Sequence, residues 1–410
     1  MKICVISESV PYPANSGKEL PVAEIFQRLS QRHEVDLLVI SNNESDFIAR
    51  KPNLPTTFRE VTRLPFTRMS KPKRIWREIA GISPFFLNAQ INEKALENWA
   101  VGRKYDWVWV SPAAYTSIVQ QTQTLRLNIF DHIAVGVNDI KTALYADSLN
   151  EIIGYGKLRP KLVYQWIRSL WMGRAERAYL SKIDIAHVQT NREREKTLQI
   201  LGKLASKVEV LAAPNGIKLD LMECTYNGID SNIILYMTHL NRGRRLESAW
   251  FVTKIWPLIK AQLPDAQLCI VGRPPDQDDH LPYITNDPSI RVYGFADDLL
   301  EVMELVRMAI VPIFHGTGLI NRIQDALIAG IPCVSTTPAI STLDNLKPGI
   351  DILCADNVGY FAKEVIRLYK DRNLRLELSE RGRKYAQQQP NWDDTAQKIE
   401  QALLSKIVTK

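Results

Sequence analysis

The residues best placed to do chemistry lie in the stretch AIVPIFHGTGLINRIQDALIAGIPCVST, residues 309–336. Its opening apolar run, Ala309 to Phe314, is short and stops at His315-Gly316-Thr317-Gly318, which predicts a buried strand meeting a glycine turn. Leu319, Ile320, Ile323, Ala326, Leu327 and Ile328 then recur at helical spacing, Gly330 and Pro332 end the helix, and IPCVST starts another strand. The N-terminus of such a helix offers backbone N–H groups and the positive end of its dipole. Gly316 and Gly318 carry no Cβ to hold an anion away, and Arg322 adds a fixed positive charge one turn in. Asp325, a turn further along the same face, is placed to accept hydrogen bonds from sugar hydroxyls. An anion site, a cation and a hydroxyl acceptor in order along one helix describe a seat for a nucleotide diphosphate sugar. A glycine turn between strand and helix also arises for steric reasons alone, so the rest of the chain must decide.

At 410 residues the chain is long enough for two domains of about 200 residues each, and 45% hydrophobic residues suffice to give both a core. No run of about 18 apolar residues is present, so no transmembrane helix is expected. MKICVISESVPYP has one lysine and too short an apolar segment for a signal peptide, and reads as a first strand. Cys4, Cys224, Cys269, Cys333 and Cys354 are odd in number and scattered, which points to a reducing, cytoplasmic setting and away from disulfides or a zinc site. The net charge of +7 suits an anionic ligand or an anionic membrane surface without choosing between them.

Strand and helix alternate twice over. KICVISE (2–8), a helix with Val22, Ile25, Phe26 and Leu29 on its buried stripe, and VDLLVIS (35–41) form a first βαβ unit, with Gly17 in its turn where backbone can approach a ligand. WVWVSP (107–112) is a further strand. LNIF (127–130) is read as another, delivering Asp131 and His132 at its C-terminal end, where open parallel sheets bind ligands and an Asp-His pair could polarise a hydroxyl. IDIAHVQ (183–189), a helix opened by the Thr190/Glu193 capping box, and VEVLAAPNGI (208–217) close this half. Composition loosens over 218–231, and alternation restarts with NIILYMTHL (232–240), a helix over 246–262, AQLCIVG (266–272), RVYGF (291–295) and the 309–336 block. The expected domains are 1–220, 228–390 and a C-terminal helix, 391–410. Two doubly wound Rossmann-like α/β sheets facing each other across a cleft follow from this order.

Two stretches are basic and aromatic. Residues 63–81 hold Arg63, Arg68, Lys71, Lys73, Arg74 and Arg77 against the single acid Glu78, with Phe66 and Trp76 among them; residues 155–179 hold Lys157, Arg159, Lys161, Arg168, Arg174 and Arg177 with Tyr164, Trp166 and Trp171. They allow peripheral contact with an anionic membrane at its inner face, or a solvated basic helix. Neither lies in a recognisable nucleic-acid module, so no nucleic-acid partner is expected.

The order of features resembles the GT-B glycosyltransferases, in particular the retaining group around family 4. The resemblance covers nearly the whole chain and rests on APNGI (213–217), PDAQLCIVGRPP (264–275), VYGFADDL (292–299), GTGLINRIQDALIAGIPCVST (316–336) and NWDD (391–394). It implies that Asp325 stands where the family has a ribose-binding glutamate, and that Gly316, Thr317, Gly318 and Leu319 give backbone N–H groups to the diphosphate. Arg244 matches the family's phosphate-neutralising lysine, Gly294 and Phe295 would line the base, and Gly17 matches the glycine turn of the first domain. Asp131 and His132 fall where a catalytic histidine often meets the transferred sugar. The chain departs from the pattern at His239, where relatives commonly carry arginine, and at His315, the nearest match to a missing first glutamate. The GTG-xx-N-R run, with Asn321, is similar to a known variant of the motif.

The implied reaction moves a sugar from a UDP- or GDP-linked donor to a hydroxyl acceptor with retention, in glycan, exopolysaccharide or glycoconjugate synthesis. Arg244, Arg322 and the loop N–H groups would stabilise the departing diphosphate. No metal or other cofactor is then needed, and Asp278-Asp279 and Asp297-Asp298 read as surface or capping residues rather than metal ligands. A nucleotide-sugar epimerase on the same fold and a degenerate, non-catalytic partner subunit are the alternatives. A dehydrogenase is disfavoured, since no GxGxxG follows the first strand.

Overall fold

The computed structural model describes residues 1–14, 17–84, 86–137, 142, 160–226, 230–238, 240, 245–272, 274, 281, 284, 286–294, 299–313 and 318–408. The chain forms two compact units, one from 1–146, 163–215 and 392–410, the other from 147–162 and 216–391.

In the first unit, β1 (Lys2–Ser7), β2 (Glu34–Ile40), β3 (Glu60–Leu64), β6 (Tyr105–Val110), β7 (Phe130–Gly136), β8 (Ile185–Val188) and β9 (Glu209–Ala212) make one sheet. Its order is β3-β2-β1-β6-β7-β8-β9 and every neighbouring pair is parallel. β4 (Thr67–Arg68) and β5 (Ala89–Gln90) form a small antiparallel pair beside it. Parallel strands are covered on both faces, so they read as continuous apolar runs rather than alternating ones. The period of two still sorts side chains between two cores. Cys4, Ile6, Val108 and Val110 enter one, and Ile3, Val5, Trp107 and Trp109 enter the other.

The second unit repeats the plan with β10 (Ile233–Met237), β11 (Gln267–Val271), β12 (Ile290–Gly294), β13 (Met308–Val311), β14 (Cys333–Ser335) and β15 (Leu353–Cys354). The order β12-β11-β10-β13-β14-β15 is again parallel throughout. Leu235 and Met237 face one core, Ile234 and Tyr236 the other.

Both sheets reverse their winding once, between β1 and β6 in the first unit and between β10 and β13 in the second. Ligands of open α/β sheets bind beyond the C-terminal ends of the strands at such a switch point. The topology therefore nominates one crevice per unit before any side chain is considered.

The chain passes from the first unit to the second at Asn215–Gly216 and returns at Asn391–Trp392. On the first side, Ala213 O accepts from His187 Nε2 at 2.9 Å and Pro214 O from Thr395 Oγ1 at 2.8 Å. On the second side, Ile217 N donates to Pro390 O at 3.0 Å. The APNGI segment is thus pinned at both ends. The helix Trp392–Val408 belongs to the first unit, where Trp392, Ile399, Ala402 and Leu403 join the core beside Phe26. Arg28–Asp393 at 2.6 Å and Glu400 with Arg32 (2.7 Å) and His33 (2.6 Å) fix it against the helix Glu19–Leu29.

Two local expectations change. The helix read over 246–262 is Arg245–Trp250, then a wider π turn over Phe251–Ile255, then Trp256–Gln262, because Pro257 has no N–H to continue an α ladder. The strand read at 127–130 is Phe130–Gly136. Arg126 and Asn128 adopt left-handed backbone, φ +57° and +46°, which an extended strand cannot accommodate.

Candidate active site

That three-residue-and-more shift moves Asp131 and His132 from the end of β7 to its beginning. His132 is paired in register with Trp107 and stacks on its indole at 4.8 Å, with Nδ1 at 3.7 Å from Asp184, which precedes β8. Asp131 accepts from Lys104 Nζ at 2.5 Å, just ahead of β6. Both therefore lie at the sheet edge opposite the switch-point crevice. The expected catalytic placement of this pair is corrected: they hold the starts of β6, β7 and β8 together.

The crevice of the first unit is built instead from the exits of β1 and β6. Glu8, Lys18, Phe66, Arg68, Phe86, Asn88, Pro112 and Tyr115 line a cavity of about 340 Å³ there. Lys18 Nζ lies 3.6 Å from Glu8. Phe66 meets Tyr115 edge-on at 5.9 Å, and the Arg68 guanidinium lies 5.8 Å from the Phe66 ring centre. An acid, two cations and three aromatic rings can hold a sugar face while reaching its hydroxyls or an attached anion. Gly17 sits in the turn leading to this edge, exposed, and a Cβ there would meet nothing within 4 Å. Sequence reading passed over Glu8, Lys18 and Tyr115. The signal available was position, directly after a strand at the reversal of winding.

In the second unit the helix predicted over 319–330 runs Asn321–Ile328, and no side chain caps its N-terminus. Ile320 N is held by Thr342 Oγ1 at 3.3 Å, while Leu319 packs on the core, so Gly318 and Leu319 lead straight to the helix. The helix stops at Gly330, φ +73°, where Arg383 caps the Ala329 carbonyl at 2.6 Å. That left-handed φ is what favours glycine at 330; a Cβ there would meet only the far end of the Arg383 side chain, at 2.7 Å.

Arg322 Nη1 donates to Met237 O at 2.9 Å. Met237 is the last residue of β10, so this bond carries the guanidinium across to the switch point. Next to it, Thr238 is buried and its Oγ1 has no hydrogen-bond partner among the described residues. Asp325, one turn on, is half-buried and accepts from Lys218 Nζ at 3.3 Å. Burial pushes its carboxyl pKa up, and Lys218 and then Arg322 pull it back. Lys218 directly follows the APNGI segment and was not anticipated as a site residue. At the exits of β11 and β12, Gly272 N donates to Gly294 O at 2.7 Å, both glycines at positive φ (+136° and +76°), which brings bare backbone to this edge.

The structure thus gathers Arg322, Asp325 and the helix start at one edge of the second sheet, with Gly294 two strands away along it. His239, Arg244, Phe295, His315, Gly316 and Thr317 lie outside the described residues, as do the acidic pairs Asp278-Asp279 and Asp297-Asp298.

Such a pair of parallel sheets, each with its crevice at the reversal of winding, defines the GT-B architecture, and the solved structures agree. The chain superposes on sucrose-phosphate synthase from Thermosynechococcus elongatus with a TM-score of 0.69 at 17% identity, covering 100% of both chains. It superposes on Anabaena HepE, solved in complex with UDP-glucose, with a TM-score of 0.64 at 14% identity, covering 99% of this chain and 100% of that one. Residues 231–371, all within the second unit, match the family model for glycosyl transferases group 1. A curated relative, an uncharacterized 44.6 kDa protein in the cps region of Klebsiella pneumoniae, is 23% identical over 385 residues, 90% of this chain and 91% of its own.

Proposed function

We propose that the protein transfers a sugar, with retention of anomeric configuration, from a nucleotide diphosphate sugar to a hydroxyl acceptor in polysaccharide or glycoconjugate assembly. The observation that carries this reading is the Arg322–Met237 bond, which fixes a permanent cation at the switch-point edge beside an uncapped helix start. The hard step is breakage of the bond from the anomeric carbon to the diphosphate oxygen. Negative charge gathers on that oxygen as the sugar becomes cation-like. Arg322, with Arg244 as the sequence's second cation for this role, stabilises that charge, and a preorganised donor of this kind lowers the barrier by about 3–4 kcal/mol. The acceptor oxygen then bonds the anomeric carbon, and its proton passes to the departing diphosphate.

Asp325 is the ribose acceptor in this scheme. A carboxylate has about four lone-pair sites, and Lys218 orients it through one oxygen. Gly272 and Gly294 bring backbone to the place for the base, and Thr238 Oγ1 gains a partner when the donor binds. The pocket at Glu8, Lys18, Arg68 and Tyr115 seats the acceptor. A UDP-sugar is the first donor to test, because HepE was solved with UDP-glucose. The cps-region relative supports a role in making a surface polysaccharide.

The test is release of nucleoside diphosphate from a panel of UDP- and GDP-sugars, with and without a glycan acceptor. Acceptor-dependent release, lost in Arg322→Ala, is expected. Sugar interconversion without release would mean an epimerase instead.

A further inference from the structure

The cavity at the exits of β1 and β6 is lined by three charged side chains, Glu8, Lys18 and Arg68. They are not equivalent. Lys18 Nζ lies 3.6 Å from Glu8, so those two offset each other. Among the described residues Arg68 has no acidic partner, and its guanidinium lies over the Phe66 ring. A ring face holds a guanidinium without neutralising it. The cavity is left with a net positive charge.

The backbone under Arg68 is held in place. β4 sets Arg68 opposite Ala89 of β5, a small residue against a long one. Met69 N donates to Asn88 O at 3.0 Å, and Asn88 Nδ2 to Phe86 O at 3.0 Å. Ala89 O accepts from Ser117 Oγ at 2.8 Å, and just beyond β5 Ile91 N donates to Gln121 Oε1 at 3.0 Å. Ser117 and Gln121 belong to the helix Thr116–Thr124, which starts directly after Tyr115. An isolated two-stranded ribbon is a loose support. Fastened to that helix, this one holds Arg68 and Tyr115 on a common frame.

Tyr115 supplies a second donor. Burial pushes its phenol pKa up to about 12, Glu8 adds to the rise and Arg68 opposes it. Both charges therefore act on this phenol, whose hydroxyl keeps its proton near neutral pH. Phe66 and Phe86, the latter braced edge-on by Tyr179 at 5.9 Å, give the apolar wall. A volume of about 340 Å³ is at the small end of the roughly 300–1,000 Å³ usual for ligand pockets, which suits the end of a saccharide rather than a long stretch of one.

We propose that this cavity selects an anionic saccharide, its ring seated on the aromatic wall and its carboxylate or phosphate bound by Arg68 and Tyr115. A neutral sugar leaves the guanidinium facing water, whereas a carboxylate or phosphate matches its planar fork. Binding of such a sugar stands by itself; its role as acceptor rests on the transferase reading.

The experiment is ligand-observed NMR titration of the full chain with methyl glucoside, methyl glucuronide and glucose 6-phosphate, with and without UDP. One or both charged sugars should bind about fivefold to tenfold tighter than the glucoside, and the tighter one names the anion. Arg68→Ala should erase the preference and leave glucoside binding within about twofold, while Arg68→Lys restores part of it. UDP should displace none of the probes. Equal or absent binding of all three, a preference that survives Arg68→Ala, or displacement of the charged sugars by UDP would overturn the proposal. Nucleotide release from the donor panel is measured in parallel. A charged-sugar preference with no release from any donor would sink the transferase reading and leave this proposal standing; release with no charged-sugar preference would do the reverse.

Discussion

The two sheets share one plan, yet their ligand-side edges are put together differently. In the second unit, most of the edge comes from a single run, β13 through the Asn321–Ile328 helix, with Lys218 and Met237 brought to it. In the first unit, the cavity needs residues from the exits of β1 and β6 and from the excursion after β3. A site made from consecutive residues leaves its periodicity in the sequence. A site made by convergence does not, because its members share only a sheet edge. Placing that edge depends on where each strand ends, and one or two left-handed residues can decide it.

The sharpest way to break the comparison is Arg322→Ala. Turnover should fall by about 10²–10³-fold if the arginine opposes the leaving charge, as measured by single-turnover nucleotide release. Arg322→Lys should recover part of the loss, since a point charge keeps the charge but not the fork that holds Met237 O.

The next effect concerns the first unit alone. Burial lowers the His187 pKa to about 4, against a weaker opposing pull from its bond to Ala213 O. The unfolded chain takes up the proton near pH 6.5, whereas the folded chain stays neutral down to about 4. Protons therefore favour unfolding across that window. Stability is complete above about pH 6.5 and falls by on the order of 3 kcal/mol as pH drops toward 4. Denaturant melts at stepped pH should show the slope, and His187→Gln should flatten it.

Arg68→Ala tests the convergent edge. The acceptor KM should rise roughly fivefold to tenfold, the loss of one cation or cation–π contact, with the donor KM unchanged. A change in donor KM alone would place the cavity's role elsewhere. Lys218→Ala should loosen Asp325 and raise the donor KM by a few fold, about 1 kcal/mol, since the pair is partly exposed. The smallest expected effect is the most pointed: Asp131→Asn and His132→Ala should leave turnover within about twofold, because both side chains lie at the starts of their strands.

The alternation of strands and helices was legible because buried parallel strands leave apolar runs and the helices between them leave a 3.6-residue stripe. The Thr190/Glu193 capping box was legible too: Glu193 N donates to Thr190 Oγ1 at 3.0 Å, and Gln189 N to Glu193 Oε2 at 3.1 Å. Arg322 and Asp325 were legible as members of one helix, but their partners were not. The Met237 carbonyl and Lys218 are 85 and 107 residues away in the chain, and no local pattern announces them. The β7 start was misread because Leu127 and Ile129 look like a strand, while the left-handed φ of Arg126 and Asn128 is invisible in composition.

The most direct test of the central claim is calorimetric titration with UDP, GDP and ADP, first without metal and then with magnesium. The account predicts that one diphosphate, UDP first among them, binds without magnesium and that Arg322→Ala abolishes the binding. If none of the three binds the intact protein, or if Arg322→Ala binds as well as the parent, the donor site described here is wrong.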